Sequence, residues 1–127
     1  MTYPFVAGDV LTAADMNYLP SYTLNAQTGT SYTTVANDQY SKLITQSNAS
    51  ASTISIPTNA TTAYPVGTVL NIINIGAGIC TINAVTSGTT TILSAGAVPA
   101  APTLAQYKAA SCIKTGTDQW FVIGGVA

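Results

Sequence analysis

Arginine, glutamate and histidine are all missing from this chain; three lysines and four aspartates are its only charges, and they leave a net of −1. Charged residues make up 6% of the sequence, against about a quarter in an ordinary soluble domain. Each absence removes a class of function. Without histidine there is no Ser-His-Asp or Cys-His arrangement and no imidazole base near neutral pH. Lys42, Lys108 and Lys114 are too few and too scattered to neutralise a run of phosphates or to hold an anionic bilayer, so neither nucleic acid nor membrane is an expected partner. No stretch reaches about 18 consecutive apolar residues, which removes a membrane-spanning helix. Met1 to Phe5 lack the basic start of a secretory leader, and none is expected.

The groups that remain do not assemble into a reactive site. Asp9, Asp15, Asp38 and Asp118 are dispersed, which makes a poor calcium site and no carboxylate pair. Asp38 and Asp118 lie in turn-like contexts, where aspartate caps its own backbone. Cys80 and Cys112 fit no metal-ligand spacing and read as small core residues, with a disulfide open if their strands are neighbours. Gly76-x-Gly78 joins two strand-like runs instead of opening a helix, so it is a turn and not a dinucleotide fingerprint. Asn48 and Asn59 begin glycosylation triplets but read as turn residues. The sequence therefore predicts no catalytic, cofactor-binding or metal-binding residue, and the chain is not expected to be an enzyme.

What is present is β-forming. Ile, Val and Thr are abundant, and short β-type runs recur every 8 to 12 residues with turn signals between them. Strands are predicted near 31–36, 40–46, 52–56, 67–75, 79–85, 90–94, 105–114 and 119–124. The spacing points to an all-β domain over residues 25–127, a compact antiparallel sandwich or barrel-like module of about eight strands. Two hairpins stand out, one turning at Gly76-Ala77-Gly78 and one at Thr115 to Asp118. In the second, Tyr107, Ala109, Ser111 and Ile113 share one face; Lys108, Ala110, Cys112 and Lys114 share the other, which the lysines mark as the wetter. Trp120, Phe121, Val122 and Ile123 form an almost unbroken apolar strand, as in an inner strand or a subunit interface. Residues 95–104, rich in Pro and Ala, are expected to project as a loop. So little surface charge leaves a monomer poorly protected against self-association, and burial of surface in an oligomer is one remedy.

Residues 1–24 read as a separate unit, an extended arm with one short helix over about 13–19. Thr12 caps it, Asp15 sits in its first turn, and Pro20 ends it. Leu11, Met16 and Leu19 give the helix an apolar side too small to make a core. Either the helix folds back on its own domain or it is an attachment arm.

Two stretches resemble bacteriophage virion proteins. "FVAGDVLTAADMNYL" is similar to the N-terminal segment of phage fibre and appendage proteins, with Phe5, Gly8, Asp9, Leu11 to Ala14 and Met16-Asn17 in the same order. Residues from about 27 to 126 resemble a β module of phage tail and head appendages, through Lys42, Pro57, Pro65, Gly67, Gly76, Gly78, Lys114, Gly116 and Trp120. The stretch "AGAVPAAPTLAQYK" departs from it except at its Gln-Tyr end. The resemblance implies a structural virion component, a homotrimer assembled in the host cytoplasm, whose partners are capsid or tail proteins. The length of the chain favours a capsid decoration protein or short head fibre over a tail-fibre or spike subunit. A carbohydrate-binding module using Trp120 and some of the seven tyrosines is the third reading. Tyr3, Phe5, Val6, Leu11, Met16, Tyr18 and Leu19 are the expected attachment or oligomer contacts, and Trp120, Phe121, Val122 and Ile123 the expected interface or core.

Overall fold

A computed structural model describes residues 23–127. They form ten strands and one short 3₁₀ turn, Ala36–Gln39. The strands are β1 (Thr23–Gln27), β2 (Ser31–Thr33), β3 (Ser41–Gln46), β4 (Ser52–Ile56), β5 (Val69–Asn74), β6 (Cys80–Ala84), β7 (Thr91–Ser94), β8 (Thr103–Leu104), β9 (Ala109–Gly116) and β10 (Gln119–Gly124). Alternation of apolar with small polar residues makes each strand two-faced. In β4, Ser52, Ile54 and Ile56 are buried while Thr53 and Ser55 lie half-exposed.

The chain is all-β, but it is not the antiparallel module that the sequence predicts. Odd-numbered strands up to β9, with β10, make a six-stranded sheet in the order β1-β3-β5-β9-β10-β7; the rest make a four-stranded sheet in the order β2-β4-β6-β8. Five of the eight strand pairings among the described residues are parallel and three antiparallel. From β1 to β6 the chain crosses between the sheets at every corner, so each strand pairs in parallel with the strand one full circuit later. Like then stacks on like: Ile54 on Ile82 in one sheet, Ile44 on Ile72 in the other. The β9–β10 hairpin turns near Thr117 and Asp118, as its sequence predicts, and slots between β5 and β7.

Gly76 to Gly78 is the first correction. It is not a hairpin turn but a corner between sheets, lying against the corner one circuit earlier. The Gly78 amide donates to Asn48 O at 2.9 Å. A Cβ on Gly76 would overlap the Asn48 backbone, and one on Gly78 the Ser50 carbonyl. These glycines answer to close backbone approach and not to turn type. Side-chain amides hold the same corners. Gln46 Nε2 donates to Gly29 O at 2.6 Å, Asn48 Nδ2 to Thr28 O at 2.8 Å, and Asn74 Nδ2 to Gly78 O and Leu104 O at 2.8 Å each. Asn48 also caps the Ser50 amide through Oδ1, at 2.8 Å.

The buried faces of the two sheets share one core, in which Ile54, Ile56, Leu70, Ile72, Ile82 and Leu104 are fully buried. Full burial of such a side chain stabilises the fold by about 1.5–3 kcal/mol. Trp120 meets Tyr64 edge-to-face, with ring centroids 5.5 Å apart at 88°. Cys80 and Cys112 are buried as free thiols, one from each sheet.

Three further expectations need correcting. Lys114 does not mark a wet face. It is 2% exposed on the same side of β9 as buried Ala110 and Cys112, because its ammonium finds neutral oxygen acceptors inside. Residues 95–104 do not simply project. Pro102 and Leu104 are buried, Thr103–Leu104 pair with β6, and the Thr103 backbone exchanges hydrogen bonds with Ala127. Last, β10 is an inner strand but is covered on one side only: Trp120 and Val122 face the core, while Phe121 and Ile123 are exposed.

Candidate interaction surface

The two outer faces of the molecule differ in chemistry. On the four-stranded sheet the outward positions are Ser31, Thr33, Thr53, Ser55, Thr81, Asn83 and Thr103. They are small and polar, and some bond one another, as Ser55 Oγ does to Asn83 Oδ1 at 2.7 Å. Such a face is at ease in water.

The outer face of the six-stranded sheet is apolar. Strand register aligns it in three rows. One row is Leu24, Leu43, Asn71, Ser111 and Ile123; a second is Ala26, Thr45, Ile73 and Ala109; a third is Val69, Ile113, Phe121 and Leu93. None of these side chains is charged. Two of its three polar side chains bond each other, Ser111 Oγ donating to Asn71 Oδ1 at 2.7 Å; the third is Thr45. Leu24 is 60%, Ile123 55%, Phe121 41% and Val69 41% exposed. Two depressions mark the face. One of about 250 Å³ is lined by Leu43, Asn71, Ser111 and Ile123; the other, about 430 Å³, by Leu93, Phe121, Ile123 and Val126.

Of the four C-terminal residues singled out from sequence, Phe121 and Ile123 therefore belong to this surface, and Trp120 and Val122 to the core. The face also contains Leu24, Leu43, Val69, Ile73, Leu93 and Ile113, which the sequence does not single out as an interface. Their signal is the parity of β5 and β9: Ala109, Ser111 and Ile113 share a face that looked core-like and is the outer one. The expected attachment residues Tyr3, Phe5, Val6, Leu11, Met16, Tyr18 and Leu19 lie outside the described residues. So does the expected arm, except for its last two residues, which open β1.

Polar groups away from this face serve the fold. Asp38 is buried and accepts hydrogen bonds from Asn25 Nδ2 (2.7 Å), Tyr32 Oη (2.6 Å) and the Val35 amide (2.8 Å), which ties the 3₁₀ turn to β1 and β2. Burial, with the bond to Asp38, pushes the Tyr32 hydroxyl up to about 12. Asp118 accepts from the Asn59 amide at 2.8 Å and from Thr90 Oγ1 at 3.2 Å, pinning the loop after β4 to the last hairpin. No cluster of three or more His, Cys, Asp or Glu side chains occurs among the described residues that could hold a metal ion. What the outer face of the six-stranded sheet offers is contact area. Comparison with protein-family models, with curated proteins and with solved structures gives no match.

Proposed function

We propose that this chain is a non-enzymatic structural protein of a bacteriophage virion, a capsid-surface decoration protein or short head fibre. In this reading copies of the chain join into a trimer through the outer face of the six-stranded sheet, and residues 1–22 reach the capsid. The observation that carries the reading is that face, which is broad, uncharged and apolar, on a chain whose opposite face is uniformly Ser, Thr and Asn. Contiguous exposed apolar surface on a folded chain marks a place where another protein sits. A chain with 6% charged residues has little else to keep that surface apart from its copies. The trimer and the virion come from the resemblance of "FVAGDVLTAADMNYL" and of the β module to phage appendages. The finer architecture in this reading is a β-sandwich standing on an N-terminal arm.

The test is binding to phage particles. The full-length chain should co-sediment with heads that lack tails, and a form lacking residues 1–19 should fold, keep its oligomeric state and fail to bind. Binding to isolated tails only would move the protein to the tail-fibre class. Binding to immobilised glycans without the arm would replace the structural reading with a carbohydrate-binding one.

A further inference from the structure

Lys114 is a buried amine with two neutral partners. It stands on the inward face of β9, opposite Trp120 on β10, and donates to Asn59 Oδ1 at 2.6 Å and to Tyr64 O at 2.6 Å. Asn59 is held in place from the other side. Its backbone amide donates to Asp118 Oδ1 at 2.8 Å, and Asp118 also acts on Lys114 through its charge. Burial lowers the pKa of Lys114 from its ordinary value, opposed by Asp118. A buried amine thus meets a half-exposed carboxamide whose own backbone amide is bonded to a carboxylate. The carbonyl carbon of Asn59 lies one C=O bond beyond Oδ1, hence no more than about 3.8 Å from the amine nitrogen, close to the distance at which bound groups react.

We propose that Lys114 and Asn59 become joined by an intramolecular isopeptide bond, with Asp118 as the proton carrier. The ammonium of Lys114 first gives up a proton, which reaches the Asp118 carboxylate through water at the half-exposed Asn59 and Asp118. The freed electron pair attacks Asn59 Cγ and the Nζ–Cγ bond forms. The Cγ–Nδ2 bond breaks, the departing nitrogen takes the second proton of the amine, and ammonia leaves. Asp118 then returns its proton to the ammonia, which departs as ammonium. Nothing is oxidised or reduced, and no co-reactant is needed. The product would lock the loop after β4 to β9 without any disulfide. The inference rests on the interior of the fold and is independent of the virion reading.

The sequence makes the test simple. Trypsin has only Lys42, Lys108 and Lys114 to cut after, so an unlinked chain gives fragments 43–108, 109–114 and 115–127. A linked chain resists cutting at Lys114. It gives 43–108 joined to 109–127 as a single species, lighter than its parts by one ammonia, about 17 Da. The full-length folded protein, denatured and then digested, should show that species. Free 109–114 with an intact Asn59, from protein whose Trp120 fluorescence shows it was folded, would overturn the proposal, as would hydrolysis of Asn59 to aspartate. Asn59→Ser should abolish the linked species. Asp118→Ala should leave the chain unlinked, and a linked Asp118→Ala chain would remove Asp118 from the mechanism.

Discussion

Replacing Asp38 by alanine strands three donors at once. The carboxylate is 2% exposed, and it is the acceptor for Asn25 Nδ2, Tyr32 Oη and the Val35 amide. A buried donor left without a partner costs about 1–3 kcal/mol. Asn25 and Tyr32 are half-buried, and the 2.9 Å bond from Asn25 Nδ2 to Tyr32 Oη survives the change, so these two fall at the low end of that range. Val35 is 51% exposed, so water can reach its amide and it falls at the low end too. The expected loss is about 3 kcal/mol, a large part of the roughly 5–15 kcal/mol that holds a domain together. Asp38→Asn discriminates between causes. It keeps the shape and one acceptor oxygen, which in the place of Oδ2 can still serve both Val35 and Tyr32, while its new amide group faces the Asn25 amide that donated to Oδ1. That variant should lose about 1–2 kcal/mol. Urea unfolding at pH 7, followed by the fluorescence of the single tryptophan, measures both. An alanine variant within about 1 kcal/mol of the parent, or an asparagine variant as unstable as the alanine one, would mean that these donors do not depend on Asp38.

Three other perturbations follow. Ile123→Asp adds a charge to a residue 55% exposed in the single chain, so its effect on folding should stay within about 0.5 kcal/mol. At an apolar joint the same unpaired charge should weaken self-association at least about 100-fold by analytical ultracentrifugation; an unchanged association constant would place the interface elsewhere. Gly78→Ala forces a methyl group into the Ser50 carbonyl and should cost about 1–3 kcal/mol or prevent folding, whereas the same change at Gly88, which has open space, should be near neutral by the same urea assay. Burial, with Cys80 nearby, pushes the Cys112 thiol from its ordinary 9.0 up to about 12. Its folded pKa is the higher one, so the unfolded chain releases its proton first. The contribution of this thiol should therefore be intact below about pH 9 and fall by about 1.4 kcal/mol per pH unit up to about pH 12, and Cys112→Ala should make the alkaline loss shallower by that amount while Cys80 and Tyr32, raised by burial as well, keep the rest.

Strand positions are legible in this sequence; strand partners, apart from those of the β9–β10 hairpin, are not. The alternation in "STISI" and in the Ile-rich runs around residues 70 and 82 reports which positions are half-buried, and β2 to β7 fall where that pattern puts them. Period-two alternation is the same whether a strand pairs with its neighbour or with the strand one circuit on. Gly76-Ala77-Gly78 therefore reads as a hairpin although it is a corner, because the Asn48 and Ser50 backbones that demand the glycines are distant in sequence. Lys114 misleads for a related reason. The amide and carbonyl that make its burial tolerable lie 55 and 50 residues away, at Asn59 and Tyr64. The interaction face is half legible. Phe121 and Ile123 stand out in an apolar run, but its other members are ordinary alternating positions until the register lines them up.

If the six-stranded sheet presents a face built to be covered by other copies of the chain, the native mass of the full-length protein at micromolar concentration, by light scattering or native mass spectrometry, should be that of a trimer, three times the 12.9 kDa chain. Ile123→Asp should dissociate that trimer without unfolding it. A stable species at 12.9 kDa, with the outer sheet face open to solvent, would show instead that the face is not a joint between copies.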